Sequence, residues 1–236
     1  MTLEQEFIGR NIEKLNEKIR IAASKSGRQP DDITVIGVSK TVGADRISKA
    51  IQAGLFDFGE NKVQELVNKY ETIGSACRWH MVGHLQTNKV KYIIDKIDLI
   101  HSVDSIRLAK EIDRQASKVG IKSNILVQVN IADEESKFGI GADETITFIK
   151  KIAEYDNIYI KGLMTIAPYS ENPEDVRWVF KALKKLFIDI SRENTDNISM
   201  DYLSMGMSND FELAIEEGSN MVRIGTAIFG KRDYMV

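Results

Sequence analysis

Several classes of protein are excluded by what this sequence lacks. Its only cysteine, Cys77, cannot form a disulfide within the chain. The three prolines and the absence of a Ser/Gly-rich stretch leave no recognisable interdomain linker. No apolar run approaches the roughly 20 residues needed to cross a bilayer, and the charged amino-terminal segment lacks the apolar core of a signal peptide. We therefore expect a single cytoplasmic domain with no membrane partner.

An excess of positive charge is also missing. The 32 basic and 35 acidic residues give a net charge of -3, whereas binding to a phosphate backbone normally requires a concentrated Lys/Arg surface. We therefore expect no nucleic-acid partner. What the chain does have is 43% hydrophobic residues over 236 positions, which is sufficient for a large α/β core.

Strand-like and helix-like segments alternate along most of the chain. Apolar residues at helical spacing between Thr2 and Ser26 predict an amphipathic helix that ends at Gly27. Short apolar runs then alternate with helical patterns, such as 44–53 and 61–72. The runs that predict strands are ITVIGV, LFDFG, RWHMVG, IDLIHS, NILVQVNI, IYIKGLMTI, ISMDYLSM and NMVRIG.

Eight strand and helix units in succession favour one closed barrel over an open sheet. A Rossmann fold usually has six strands and a GxGxxG turn, and that turn is missing from the sequence. Strands covered on both faces should be almost continuously apolar, as ITVIGV and NILVQVNI are. We predict an α/β fold, a (β/α)8 TIM barrel, forming a single domain over residues 1–236 with an extra amino-terminal helix.

Lys40 closes the first predicted strand, in the segment ITVIGVSK. The reactive groups of (β/α)8 barrels project from the carboxyl ends of their strands. At a dry barrel mouth, desolvation and neighbouring cations would lower the lysine pKa from about 10.4, so that the amine could attack a carbonyl group. The alternative is a lysine that extends into solvent.

The loops after the last two predicted strands both suit a phosphate. In barrels these two loops, together with the N-terminus of a short helix, often bind phosphate. Gly206 and Ser208 lie in the first loop, where Ser208 would donate a hydroxyl to an anion and cap the next helix. Gly225 and Thr226 lie in the second loop, where they offer close backbone approach, an N–H and a hydroxyl. Taken singly, each loop also fits an ordinary helix cap.

Other polar residues occupy predicted strand ends and loops. Arg223 interrupts the apolar run MVRIG, and its permanent charge needs an acceptor, either on a ligand or on a carboxylate of another strand. Asn61 would contact a ligand, cap a helix, or do both. Lys137 would add positive charge near the same rim or remain solvated in its loop.

The sequence contains three histidines, His80, His84 and His101. They lack the spacing and the accompanying carboxylates of common zinc or iron motifs. We therefore expect hydrogen-bonded polar side chains here, and no metal site.

Several long motifs follow one another in a recognisable order: VIGVSKT, FGENKVQE, WHMVGHLQTNK, GLMTIAP, LSMGMSNDFELAIEEGSNMVRIGTAIFG and the closing RDY. In these motifs the chain resembles the pyridoxal 5'-phosphate (PLP) binding proteins of the YggS/PROSC type, whose fold is similar to the N-terminal barrel of alanine racemase. The resemblance covers essentially the whole sequence. An ordered set of this kind is far more specific than a single glycine pattern.

The resemblance implies that PLP is held as a Schiff base on Lys40, in a barrel like that of the fold type III enzymes. The other cofactor contacts that it implies are Ser208, Gly225 and Thr226 at the phosphate, Arg223 facing the pyridine nitrogen, and Asn61 near the ring substituents. It also implies a function in intracellular PLP homeostasis, with PLP-dependent apoenzymes as acceptors of the cofactor. A monomer is expected, because the racemase dimer relies on a further domain.

The resemblance leaves carrier and enzyme functions open. A cation opposite the pyridine nitrogen disfavours ring protonation and weakens the ring as an electron sink, so we expect no substantial turnover. A racemase is the first alternative, with Lys40 as one base and His84, Tyr169 or Tyr234 as candidates for the other. A Schiff-base aldolase is the second, although aldolases usually place their lysine on a later strand.

Overall fold

Eight parallel strands close into a barrel in the computed structural model, which describes residues 3–134, 136–192 and 196–230. The barrel strands are β1 (Thr34–Val38), β2 (Asp57–Glu60), β3 (Arg78–Met81), β4 (Leu99–Val103), β5 (Ser123–Asn130), β7 (Ile158–Met164), β8 (Ile198–Ser204) and β9 (Met221–Ile224). An additional two-residue strand, β6 (Ile140–Gly141), lies between β5 and β7 in the chain. Around the ring the order is β1, β2, β3, β4, β5, β7, β8 and β9, and a β1–β9 pairing closes it. The small β6 pairs only with the end of β5 among the described strands. The predicted barrel is therefore confirmed.

Helices connect most of the strands and cover the outside of the barrel. They are α1 (Leu3–Lys25), α2 (Ala44–Gln52), α3 (Val63–Ile73), α4 (Ile106–Val119), α5 (Thr145–Ile152), α6 (Arg177–Ser191), α7 (Phe211–Glu216) and α8 (Thr226–Phe229). Short 3-10 turns occupy Pro30–Asp32, Thr87–Tyr92 and Pro173–Val176. In the ranges that the structure describes, no helix combines the length and apolar character needed to cross a membrane.

Apolar side chains form two separate clusters. The larger cluster fills the space between the barrel and its helices, and it includes Phe58, Trp79 and Phe180. The smaller cluster consists of Ile36, Val82, Leu99, Leu126, Met164 and Met221. Successive side chains of a strand point to opposite faces, so Ile36 belongs to the barrel interior while its neighbour Gly37 faces the helix layer, against Leu55 and Phe58. Strand β1 is therefore apolar on both faces, as the sequence predicted for ITVIGV.

The amino-terminal helix packs against the last two units of the barrel. Its buried face, Ile8, Ile12, Leu15, Ile19, Ala22 and Ala23, has the helical spacing predicted from the sequence. Lys18 pairs with Glu212 of α7 at 2.8 Å, and the Asn11 side chain donates to the Ile228 carbonyl of α8 at 3.0 Å. Helix α1 thus spans the place where the first and last strands meet, and the predicted extra helix is confirmed.

The turn after β8 depends on a glycine. Gly206 has φ +96, and a Cβ at this position would lie 2.6 Å from the Cβ of Ala214 in α7. A residue with a side chain would be strained in conformation and would also collide with α7. Gly206 therefore allows the β8 loop to turn tightly against α7, which places Ser208 at the barrel mouth.

Candidate functional site

One cleft at the carboxyl ends of the strands brings the predicted site residues together. It has a volume of ≈ 550 Å³. The predicted residues that line it are Lys40, Asn61, Ser208, Arg223, Gly225 and Thr226. They come from the segments that follow β1, β2 and β8, from β9 and from the start of α8. Residues far apart in the chain therefore meet because their strands end at one rim of the barrel.

The residue before Lys40 is fixed by a buried polar cluster outside the barrel wall. Ser39 donates its hydroxyl to Glu60 Oε1 at 2.6 Å, and Lys69 of α3 donates to the same oxygen at 2.6 Å. Lys69 also donates to the carbonyl oxygen of Ser39 at 2.7 Å. Glu60 is fully buried, and burial raises its pKa although the Lys69 ammonium acts to lower it. A buried ion pair therefore holds the end of β1 against α3.

The residue after Lys40 is held by the same cluster. The Thr41 N–H donates to Glu65 Oε2 at 2.7 Å, and Lys69 lies 3.3 Å from that oxygen. Burial acts to raise the Glu65 pKa, but the Thr41 N–H and the Lys69 charge bring it below its ordinary value. Thr41 has φ +64, which is strained for a β-branched residue. The backbone on both sides of Lys40 is thus fixed in an unusual turn that directs this residue to the cleft.

Arg223 is held by neutral acceptors within the barrel. Its guanidinium donates to Ser204 Oγ at 2.7 Å and to the Thr165 carbonyl at 2.7 Å. Burial lowers the Arg223 pKa to about 10, so the side chain remains charged at neutral pH, and the nearby Asp210 favours that charge. The sequence left two interpretations of Arg223 open, and one of them was an ion pair with a carboxylate of another strand. These hydrogen bonds do not support that ion pair. Arg223 keeps further N–H groups beyond these two bonds, and it lines the cleft.

The predicted capping roles of two site residues are wrong. Helix α3 has Lys62 as its N-cap, one residue after Asn61. Helix α7 has Asp210 as its N-cap, because the chain first makes a turn from Met207 to Asp210. In this turn the Met207 N–H donates to Asp210 Oδ1 at 2.6 Å. Asn61 and Ser208 therefore line the cleft without serving as helix caps.

Sequence reasoning missed part of the cleft wall. Beside Tyr169, which was already a candidate base, the loop after β7 contributes Ile166, Ala167, Pro168 and Ser170, and the loop after β8 contributes Met207, Asn209 and Asp210. Asp210 is buried, which raises its pKa, while the Met207 N–H and the Arg223 charge act to lower it. The available signal for both loops was their position in the chain, because each follows a predicted strand.

The remaining polar candidates lie away from the cleft lining. Lys137 pairs with Glu134 at 2.6 Å, and the ring of His84 stacks on Phe138 at a centroid distance of 3.8 Å. His80 and His101 are buried in the barrel and hydrogen-bonded to each other at 3.1 Å. Across the described ranges, no group of three or more His, Cys, Asp or Glu side chains is arranged to hold a metal ion. Tyr234 lies outside the described residues.

The chemistry of the cleft combines one primary amine with groups that suit an anion. Lys40 supplies the amine, Ser208 and Thr226 supply hydroxyl groups, and Arg223 supplies a permanent cation. An amine in such surroundings can bond covalently to a carbonyl carbon, and the hydroxyls can bind an oxyanion. The cleft therefore suits a small ligand that carries both an aldehyde and a phosphate.

Known proteins share this barrel over nearly its whole length. The chain matches the family described as alanine racemase, N-terminal domain, over residues 11–233. It is 44% identical over 224 residues to the pyridoxal phosphate homeostasis protein of Aquifex aeolicus (strain VF5), covering 94% of this chain and 97% of that one. Identity is 40% over 232 residues to the protein of the same name from Escherichia coli (strain K12), covering 96% and 97%.

A solved structure agrees with these sequence matches. The structure of PipY from Synechococcus elongatus PCC7942 with PLP bound has a TM-score of 0.82 and 29% sequence identity, covering 94% of this chain and 100% of that chain. The resemblance deduced from the sequence motifs is confirmed. By its fold, by the full length of these matches and by its identity to the curated relatives, the chain belongs to the alanine racemase N-terminal domain family and, within it, to the pyridoxal phosphate homeostasis proteins.

Proposed function

We propose that this protein binds PLP in the cleft, holds it as a Schiff base on Lys40, and acts in PLP homeostasis. The names of the relatives from Aquifex aeolicus and Escherichia coli support the function, and PLP in the PipY structure supports the ligand. The single observation that carries the proposal is the meeting of Lys40 with Ser208, Gly225 and Thr226 in one cleft. An aldehyde and a phosphate on one ligand match these two sets of groups.

The residues present fit the cofactor. A volume of ≈ 550 Å³ lies within the range of about 300–1,000 Å³ that is usual for small-molecule sites. Ser208 and Thr226 would bind the phosphate with their hydroxyls, and Gly225 has no side chain to obstruct it. When bound, PLP supplies an electron-withdrawing ring that stabilises negative charge on an attached carbon.

Arg223 governs how strongly that ring would act. Its cation would face the pyridine nitrogen and would disfavour a second positive charge at this position. Asn61 would contact the ring substituents. We therefore favour a carrier that accepts PLP and passes it to PLP-dependent apoenzymes, without substantial turnover of its own. A monomer in the cytoplasm is the simplest form for this function.

A racemase is the second candidate, because a tyrosine lies at the cleft. Tyr169 lines it and is 79% exposed, whereas His84 stacks on Phe138 away from the lining. A second base must reach the α-carbon on the face opposite Lys40. Deuterium incorporation at the α-carbon of a panel of amino acids, measured against free PLP, separates the two functions. Incorporation well above that of free PLP, and lost in Tyr169→Phe, would favour the enzyme over the carrier.

Borohydride reduction followed by peptide mass mapping tests the lysine assignment. We expect a pyridoxyl adduct on the peptide that contains Lys40, and no stable adduct in Lys40→Ala. Lys62→Ala is the matched control, because Lys62 is an exposed lysine near the same barrel rim. An adduct mainly on another lysine, or a Lys40→Ala protein as yellow as the parent after purification, would refute the assignment.

A further inference from the structure

A row of hydrogen-bonded side chains passes through the barrel and ends at Arg223. From Arg223 it leads to Ser204 at 2.7 Å, then to His101 Nδ1 at 3.0 Å. His101 Nε2 lies 3.1 Å from His80 Nδ1, and His80 Nε2 lies 3.0 Å from Asp57 Oδ1. We call these five residues the interior chain.

The interior chain crosses the barrel lumen. His101 is on β4 and Ser204 is on β8, and these strands are not neighbours in the ring. A 3.0 Å contact between their side chains must therefore pass through the interior. At the far end, Asp57 and His80 line a second cavity of ≈ 610 Å³ among residues that begin the strands. The chain thus joins the amino-terminal mouth of the barrel to the cleft at its carboxyl end.

One direction of donation fits the interior chain when each histidine ring carries a single hydrogen. Arg223 can only donate, so Ser204 Oγ accepts from it and can give its own proton to His101 Nδ1. His101 must then carry its hydrogen on Nε2 and donate to His80 Nδ1. His80 in turn donates from Nε2 to Asp57, whose carboxylate only accepts. Because Asp57 only accepts, a singly protonated His80 must carry its hydrogen on Nε2, and His101 must do the same in order to donate to His80 Nδ1.

Electrostatics agree with this direction. Burial lowers the His101 pKa well below its ordinary value, and His80 and then the charge of Arg223 act in the same sense. Burial acts to raise the Asp57 pKa, but hydrogen bonds from His80 and Arg78 bring it below the ordinary value. His101 therefore stays neutral and Asp57 stays ionised at neutral pH.

We propose that Asp57, His80, His101 and Ser204 are positioning residues for Arg223: their one-way hydrogen bonds fix its guanidinium at the cleft. The orientation of Arg223 would thus depend on groups that reach the opposite mouth of the barrel. The part of the proposal that concerns the histidine tautomers is independent of any ligand. The part that concerns PLP rests on the proposed function.

Imidazole nitrogen NMR of the ¹⁵N-labelled, PLP-free protein tests the direction of the chain. The sequence has three histidines, so the spectrum is simple to assign with single His→Gln variants. We expect His80 and His101 each to carry hydrogen on Nε2 and none on Nδ1. Hydrogen on Nδ1 of either ring, or a doubly protonated ring, would overturn the proposal whatever the outcome for PLP binding.

Substitutions at Ser204 test the effect on Arg223. Ser204→Ala removes the hydroxyl between Arg223 and His101, so the guanidinium loses one of its two neutral acceptors. In the PLP-loaded protein the visible absorption maximum should shift, and PLP should dissociate about tenfold more readily, as expected when a charged group loses a hydrogen bond. Ser204→Thr keeps the hydroxyl and should restore the spectrum and the affinity.

A neighbouring serine provides the matched control. Ser102 is buried next to His101, and its hydroxyl has no hydrogen-bond partner among the described residues. Ser102→Ala should leave the tautomers and the PLP spectrum unchanged. If Ser204→Ala behaves like Ser102→Ala, or if Ser204→Thr folds and fails to restore the signals, the positioning role is refuted. If a Ser204 variant fails to fold, the tautomers of the unaltered protein still decide the direction of the chain.

Discussion

Replacing Lys69 by methionine should destabilise the protein in a manner that depends on pH. The change removes the ammonium 2.6 Å from Glu60 Oε1 and keeps a side chain of similar length. Glu60 is fully buried, and its Oε2 already has no hydrogen-bond partner among the described residues. Breaking a buried ion pair by removing one partner costs about 3–5 kcal/mol. We expect a loss of that size in the free energy of unfolding at pH 7.5.

The sign of the pH dependence follows from Glu60. Burial raises its pKa in the folded protein, and loss of Lys69 raises it further. When the pKa of a carboxyl is higher in the folded than in the unfolded protein, the group favours folding most while it is protonated, below its unfolded-state pKa of about 4.3. This contribution to stability is lost as the pH rises through the pKa of the folded state. The deficit of Lys69→Met should therefore be smallest near pH 5 and grow toward pH 8.

Urea unfolding at pH 5, 6, 7 and 8, followed by tryptophan fluorescence, measures this deficit. Glu60→Gln in the Lys69→Met background removes the unpaired charge and should recover more than half of the loss. Lys62→Met is the control, because it replaces an exposed lysine that immediately precedes α3, and it should change stability by less than about 0.5 kcal/mol. A deficit below about 1 kcal/mol, or one equal at all four pH values, would refute the account of the cluster.

Two further predictions concern the barrel wall. Gly162 has φ +147, and a Cβ there would collide with the Tyr202 carbonyl of β8. Gly162→Ala should therefore lower the free energy of unfolding, measured in urea, by at least about 2 kcal/mol. A variant as stable as the parent would contradict the described pairing of β7 with β8. Burial raises the Cys77 pKa to about 12, so its reaction with a thiol reagent at pH 8 should be on the order of 1,000-fold slower in the folded protein than in urea. Equal rates in the two states would show that Cys77 is accessible.

The sequence predicts the barrel and the cleft because both depend on local pattern. Each strand is a short apolar run between helical segments, and a residue that ends such a run must lie at the barrel rim. Lys40, Gly225 and Thr226 were found in this way. The start of α3 was predicted less accurately. By residue type Asn61 is a good N-cap and Lys62 a poor one, yet the helix has Lys62 as its N-cap.

Partnerships between distant strands could not be predicted. His101 and Ser204 are 103 residues apart, and nothing in their local sequence indicates a hydrogen bond between them. Lys69 lies in a helix where a lysine is ordinarily solvated, and its burial depends on the packing of α3 over Ser39 and Glu60. Such contacts are set by the tertiary arrangement, to which residue type and spacing give no guide.

The position of α1 has a consequence for the time at which the chain can fold during synthesis. This helix leaves the ribosome before all the strands of the barrel, yet its apolar face packs on α7 and α8, which follow β8 and β9. Until residues 211–229 have been translated, Ile8, Ile12 and Leu15 have no native surface to cover them there. The apolar face of α1 therefore stays exposed while the strands between α1 and α7 are translated. This exposure makes the segment a natural place for a chaperone to bind.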